Sequence, residues 1–149
     1  MKEIKLTKAL ASLSKLELYR FGLFLHSNYF NKSDSNITLF NYLKEFYPHF
    51  ERLDLKKEDI FKKLYPNTSF DDKKLRDRFT HLLSLLKHFL AIEKFESNSF
   101  EFKKNLISSL REKRLDNMVK EEFDSTLSTL EKLKCKDEYY FLNIFYYVY

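Results

Sequence analysis

Apolar side chains recur along this chain at intervals of three and four, the spacing of helices with one face buried, and recognisable start or stop signals punctuate the pattern. The opening stretch carries Leu6, Leu10 and Leu13 and meets a boundary at Ser14. There Ser-Lys-Leu-Glu has the form of a capping box: the Ser14 hydroxyl can accept from the Glu17 amide while the Glu17 carboxylate reaches back, with Leu13 and Leu18 placed as a hydrophobic staple. This predicts a second helix from Lys15 to about Ser27. Leu18, Phe21 and Leu25, together with Leu16, Tyr19 and Leu23, cover much of its circumference, the pattern of a central helix, and Gly22 inside it marks a close contact.

The segment from Asn28 to Asn36 is polar and turn-rich, and a helix carrying Ile37, Phe40, Leu43 and Tyr47 follows until Pro48 stops it. Asp54 is placed to cap a short helix bearing Ile60, Phe61 and Leu64, which Pro66 ends. Asp71 and Asp72 then favour the positive end of the longest helix, Lys73 to about Glu93. Leu75, Phe79, Leu82, Leu86 and Phe89 form its apolar stripe, and Lys73, Arg76, Asp77, Thr80, His81, Ser84, Lys87 and His88 lie opposite. FESNSF breaks the pattern. A helix with Phe102, Leu106 and Leu110 ends near Asp116, and another carries Val119, Phe123, Leu127, Leu130 and Leu133 before a turn at Lys134 to Asp137. From Glu138 the chain reads as the first helix of a further pair, so helical hairpins repeat at roughly 35 to 40 residues, within the range of solenoid repeats.

The fold class expected is therefore all-α: a single all-helical domain over residues 1–149, in which an N-terminal bundle (1–96) leads into solenoid-like antiparallel helical hairpins (97–149). Composition sharpens this. One Gly and two Pro leave little material for tight β-turns, and they exclude the glycine-rich phosphate cradles and dinucleotide fingerprints that need several glycines at fixed spacing. The one cysteine, Cys135, rules out an internal disulfide framework and suggests a reducing, cytoplasmic setting. No signal-peptide pattern opens the chain and no apolar run is long enough for a membrane span. Asn-x-Ser/Thr triplets begin at Asn31, Asn36 and Asn67, but glycosylation needs a secretory route that nothing here supplies.

Candidate chemistry is sparse. The four histidines have no ligand spacing, and His81 and His88 read as exposed helical imidazoles, so no metal is expected. Cys135 sits between Lys134 and Lys136 without a nearby histidine, and an inert thiol is the better reading. Neither a cofactor nor an enzymatic activity is expected. The net charge of +5 is locally mixed: Arg52 to Arg114 holds 16 basic and 10 acidic residues, and the rest nearly cancels.

The sharper alternative is nucleic-acid binding. Leu55 to Leu90 has the order of a helix-turn-helix, and residues 55–102 together resemble a winged-helix segment, with Lys73, Lys74, Arg76, Arg78 and Thr80 facing DNA and Phe95 to Phe102 as the wing. A long turn, the lack of a primed-turn dipeptide and the acids Asp71, Asp72 and Asp77 weigh against it.

The chain closes on YYFLNIFYYVY, Tyr139 to Tyr149, with Asn143 the one polar side chain. So much apolar surface must pack on something, and it is too short to span a bilayer, which takes roughly 20 residues. Tyr139, Tyr140, Phe145, Tyr146, Tyr147 and Tyr149 are thus candidates for a protein interface or self-association, and the abrupt end suggests a longer polypeptide.

Taken together, LSKLELYRFGLFLHSNYFN, LFNYLKEFYPHF and KKEDIFKKLYPNTSFDDKKLRDRFTHLLSLLKHFL resemble the opening of uncharacterised bacterial all-helical proteins considerably longer than this chain. The resemblance spans most of Ser12 to Tyr149. It implies continuation as helical hairpins and carries no activity and no functional residue. The expected function is a non-enzymatic helical scaffold or protein–protein interaction module, with the DNA-binding regulator as runner-up.

Overall fold

The computed structural model describes residues 5–50 and 56–131. Among them every regular element is helical: α1 (Lys5–Ala11), α2 (Lys15–His26), α3 (Asp34–Lys44), α4 (Lys57–Leu64), α5 (Asp72–Ser97), α6 (Ser99–Glu112) and α7 (Asp116–Glu131). The chain divides into two compact units, Met1–Ala91 and Ile92–Tyr149.

In the first unit the α1–α2 corner is built as the sequence predicts. Ser14 N donates to Glu17 Oε2 at 2.7 Å and Glu17 N donates to Ser14 Oγ at 3.2 Å, while Leu13 and Leu18 are both buried. The Tyr47 hydroxyl donates to the Leu13 carbonyl at 2.7 Å, tying the chain after α3 to this corner. Ser14→Ala should therefore cost about 1 kcal/mol in a urea titration. The corner is also pH-sensitive. The Ser14 side-chain and backbone hydrogen bonds, with a smaller contribution from the Arg20 charge, hold the Glu17 carboxyl below its ordinary value. A depressed folded-state pKa stabilises above the unfolded pKa, about 4.3, and that contribution is lost as pH falls through the folded value. Glu17→Gln should accordingly be less stable than the parent at neutral pH and match it in strong acid.

Phe21 of α2, Phe40 of α3 and Phe89 of α5 meet at the centre, the Phe21 ring 5.2 Å from Phe40 at 84° and 5.4 Å from Phe89 at 47°. Leu6 and Leu10 of α1, Leu39 and Leu43 of α3, and Ile60 and Phe61 of α4 close the core around them. Gly22 is at the expected close contact: a Cβ there would stand 3.3 Å from Phe40 Cε1, so a larger residue would require the Phe40 ring to give by a few tenths of an ångström. On α5 the stripe is buried at Leu75, Leu82, Leu86 and Phe89, joined by Leu85, with Phe79 half-buried. The α3 helix ends at Lys44 ahead of Pro48, and α4 ends at Leu64 ahead of Pro66. Lys56 is the N-cap of α4 and makes no side-chain cap bond; Asp54 lies outside the described residues.

One expectation fails here. The α2 helix is not enclosed: Leu18, Phe21 and Leu25 are buried, but Leu16, Tyr19 and Leu23 are 57%, 58% and 57% exposed. Periodicity shows which faces of a helix are apolar and is silent on which of them finds a neighbour.

In the second unit α5 runs past Glu93 to Ser97, and α6 starts one residue later. The Asn98 side chain accepts from Glu101 N at 3.3 Å, so the FESNSF break is a helix cap. The wing hairpin expected at Phe95 to Phe102 is thereby overturned: both sides of Asn98 are helical, and the Phe95 and Phe102 rings pair across it with centroids 5.8 Å apart. Helix α6 stops at Glu112 through a Schellman turn. Arg114, at φ 58°, donates its N–H to Arg111 O at 2.9 Å, and Leu115 N donates to Leu110 O at 3.0 Å. Lys103 near the start of α6 reaches Ser125 Oγ (3.1 Å) and Glu122 Oε2 (3.8 Å) towards the end of α7, so the two helices run in opposite directions. Ile107 is buried between them with Phe100, Val119 and Phe123 packed against it.

Candidate functional site

The start of α5 gathers the residues that a DNA reading requires, and the structure divides them. Lys73, Lys74, Arg76 and Thr80 are exposed. Asp71 Oδ1 caps the helix by accepting from Lys74 N at 2.9 Å. Asp72 holds Lys57 at 2.7 Å and Arg76 at 3.0 Å, and the Lys57 hydrogen bond, followed by the two positive charges, keeps its carboxyl below the usual range. Lys74 Nζ lies 3.9 Å from the Tyr65 ring centroid, and Thr80 Oγ1 donates to Arg76 O at 2.9 Å. Three of these side chains thus have partners within the protein, and a stably ionised Asp72 stands where a phosphate would come. A nucleic-acid surface favours an unbroken basic footprint.

Arg78 is not part of that surface. It turns inward, donating from Nε to the Tyr65 hydroxyl (3.2 Å) and from Nη1 to Ser33 Oγ (2.9 Å) and Asn36 Oδ1 (3.1 Å). This belongs to a polar cluster that the sequence does not announce. Asn31 and Asn36 are 3% and 0% exposed, although both come from the segment that reads as a polar loop. The directions of their bonds are fixed from both ends. Asn31 Nδ2 must face the carbonyls of Leu25 (2.8 Å) and Ser33 (3.2 Å), which only accept. Its Oδ1 then accepts from Ser33 N (3.1 Å) and Asn36 Nδ2 (2.7 Å), and Asn36 Oδ1 is left facing Arg78, which only donates. Asn36 Nδ2 also lies 3.0 Å from His81 Nδ1, so that nitrogen accepts and the ring hydrogen of a neutral imidazole sits on Nε2. No buried side-chain polar atom among the described residues lacks a partner. The cluster joins the end of α2, α3, the α4 cap and α5.

His81 is exposed yet bonded to Asn36, and His88 packs edge-on against the Phe24 and Phe30 rings at 5.9 and 5.4 Å, so both imidazoles are integrated into the fold. Among the described residues no group of three or more His, Cys, Asp or Glu could hold a metal ion, and no helix is long and apolar enough to cross a membrane. Burial pushes the Tyr42 hydroxyl up, with the Asp59 and Glu45 charges adding to it, and Lys63 Nζ sits 4.6 Å from its ring centroid. A surface depression of about 380 Å³ is lined by Arg114, Leu115, Asp116, Asn117 and Met118 at the α6–α7 turn. The interface candidates Tyr139, Tyr140, Phe145, Tyr146, Tyr147 and Tyr149, like Cys135, lie outside the described residues.

Several large apolar side chains are exposed, Tyr29 and Met118 among them, and three of them share the outer face of α2. Leu16, Tyr19 and Leu23 stand in one row on a helix whose opposite side is fixed in the core by Leu18, Phe21 and Leu25. The signal for it was present in the sequence as an excess of apolar positions around α2. Among the described residues the protein is all-helical, and its second helix carries an exposed apolar face on the side away from the core. No known family, curated protein or solved structure matches the chain.

Proposed function

We propose that the protein is a non-enzymatic helical interaction module, a scaffold that presents fixed helix faces to a protein partner. The outer face of α2 carries this reading: three large apolar side chains, each more than half exposed, sit on a helix anchored from behind. Exposed apolar groups scattered singly mean little, but a contiguous row on a rigid helix is the composition of an interface core. The antiparallel α6–α7 pair is consistent with a hairpin array of solenoid type, in which each pair offers its surface to a binding partner.

The test is retention of a partner from lysate of the source cells on the immobilised chain, against Leu16→Asp/Leu23→Asp. Both positions are exposed, so the double variant should keep its helical content and unfold within about 1 kcal/mol of the parent. A partner retained by the parent and lost by the folded variant is expected; identical retention by both, or none by either, defeats the reading. The double change Arg76→Glu/Arg78→Glu does not serve as a test of nucleic-acid binding, because Arg78 is structural and its reversal breaks the Asn36 cluster.

A further inference from the structure

We infer that Arg78, Lys74 and the hydroxyls of Tyr65 and Ser33 form a binding site for a phosphoryl group. Arg78 carries a charge that the fold does not answer. It is half-buried, and the three groups it donates to, the Tyr65 hydroxyl, Ser33 Oγ and Asn36 Oδ1, are all neutral. A guanidinium drawn out of bulk water is ordinarily matched by a carboxylate or a phosphate, which meets both its charge and its fork of donors. Carboxylates stand nearby in the chain, but among the described residues none makes an ion pair with Arg78. Asp71 caps α5 through Lys74 N, and Asp72 holds Lys57 and Arg76. Asp72 and Arg76 are each two positions from Lys74, roughly 200° around the helix, whereas Lys74 and Arg78 are four apart and share a face. Asp34 and Asp77, the chain neighbours of Ser33 and Arg78, pair with neither cation.

The hydrogen-bond directions point the same way. Arg78 only donates, so the two hydroxyl oxygens that meet it accept, and their own protons must be aimed elsewhere. Among the described residues neither proton has an acceptor, nor do the N–H groups of Arg78 Nη2 or the ammonium of Lys74, whose Nζ stands 3.9 Å from the Tyr65 ring centroid. In the planar fork Nη2 lies between Nε, which serves Tyr65, and Nη1, which serves Ser33. Three elements thus bring donors together: the N-cap of α3 with Ser33, the C-cap of α4 with Tyr65, and one face of α5. Their one acceptor, Asn36 Oδ1, is already taken up by Arg78. Charge selects the ligand. A carboxylate brings a single negative charge and two oxygens to two cations and two hydroxyls, whereas a phosphate monoester brings a charge of about −1.5 to −2 and three terminal oxygens. The site is built apart from the outer face of α2, so neither reading falls with the other.

The test is a titration of the full chain with inorganic phosphate at constant ionic strength, followed by the nitrogen–proton NMR signals of the backbone and of the arginine Nε groups. The Arg78 Nε signal should shift and saturate with a Kd on the order of 1 mM or below. Lys74→Ala, at an exposed position, should keep the fold and weaken binding at least about fivefold. Tyr65→Phe keeps the ring under Lys74 and removes one hydroxyl, and it should also weaken binding. Arg76→Ala, on the other face of α5, should leave the affinity unchanged. Acetate at the same ionic strength should bind at least about fivefold more weakly than phosphate. Circular dichroism checks that each variant is folded. No saturation by about 20 mM phosphate overturns the inference, as does an affinity that Lys74→Ala leaves intact or that Arg76→Ala lowers as much. Acetate binding as tightly as phosphate overturns the assignment to a phosphoryl group. A phosphoserine peptide and glycerol phosphate, titrated in parallel, separate a phosphorylated side chain from a small phosphate ester as the source; tighter binding of either than of inorganic phosphate upholds the site and names its supplier.

Discussion

Phe21→Ala should lower the stability of the protein by about 4 kcal/mol, and Leu23→Ala, two residues further along the same helix, by less than about 0.5 kcal/mol. Phe21 is fully buried and its ring touches aromatic partners on two other helices, Phe40 on α3 and Phe89 on α5, besides Phe24 on its own. Removing it withdraws the transfer free energy of a whole ring and leaves a cavity between three helices that cannot all close in at once. Edge-on aromatic pairs add their own fraction. Leu23 is more than half exposed, so truncating it removes little contact. Urea titration of both variants measures the contrast. A Phe21→Ala cost below about 1 kcal/mol would mean that the three helices do not meet on this ring.

Asn36→Ala should cost about 2 to 4 kcal/mol, although it removes only a small polar side chain. The Asn36 amide is fully buried and serves three partners, Asn31, Arg78 and His81. Arg78 would keep Ser33 Oγ and the Tyr65 hydroxyl, and Asn31 Oδ1 would keep Ser33 N, but each would lose a bond in a place that water reaches poorly. Asn36→Asp is the informative companion. It hands Arg78 a carboxylate, yet it sets an oxygen 2.7 Å from Asn31 Oδ1, which cannot turn away without giving up the carbonyls of Leu25 and Ser33. The aspartate variant should therefore regain little of the loss. Full recovery would show that the Arg78 contact alone fixes the cluster.

The two cases mark where the sequence was readable. Whatever rests on neighbours in the chain was legible: the capping box at Ser14, the glycine against Phe40, helix ends ahead of Pro48 and Pro66, and the α5 stripe all follow from spacings of four residues or so, or from one residue's backbone needs. What depends on distant partners was not. Arg78 reads as one more cation on a basic helix, and only the fold brings it to Ser33 and Asn36, more than forty positions earlier. Asn31 and Asn36 read as loop polarity for the same reason. The exposed row on α2 was misread in the opposite sense, because burial was inferred from hydrophobicity alone. At Asn98 the local signal pointed both ways: a cluster of Ser and Asn marks a hairpin tip as readily as a helix cap, and the helices on either side decided it.

The buried asparagines also bear on how the protein can be made. Asn31 and Asn36 each open an Asn-x-Ser/Thr triplet, the acceptor of N-linked sugars in a secretory pathway. A bulky, hydrated sugar attached to either amide before folding would replace a hydrogen that the cluster uses and would itself have to be buried, whereas one on exposed Asn67 would point into water. Secretion through a glycosylating host would thus disable the first unit one amide at a time, and production inside a cell that attaches no sugars leaves α2, α3 and α5 free to close around them.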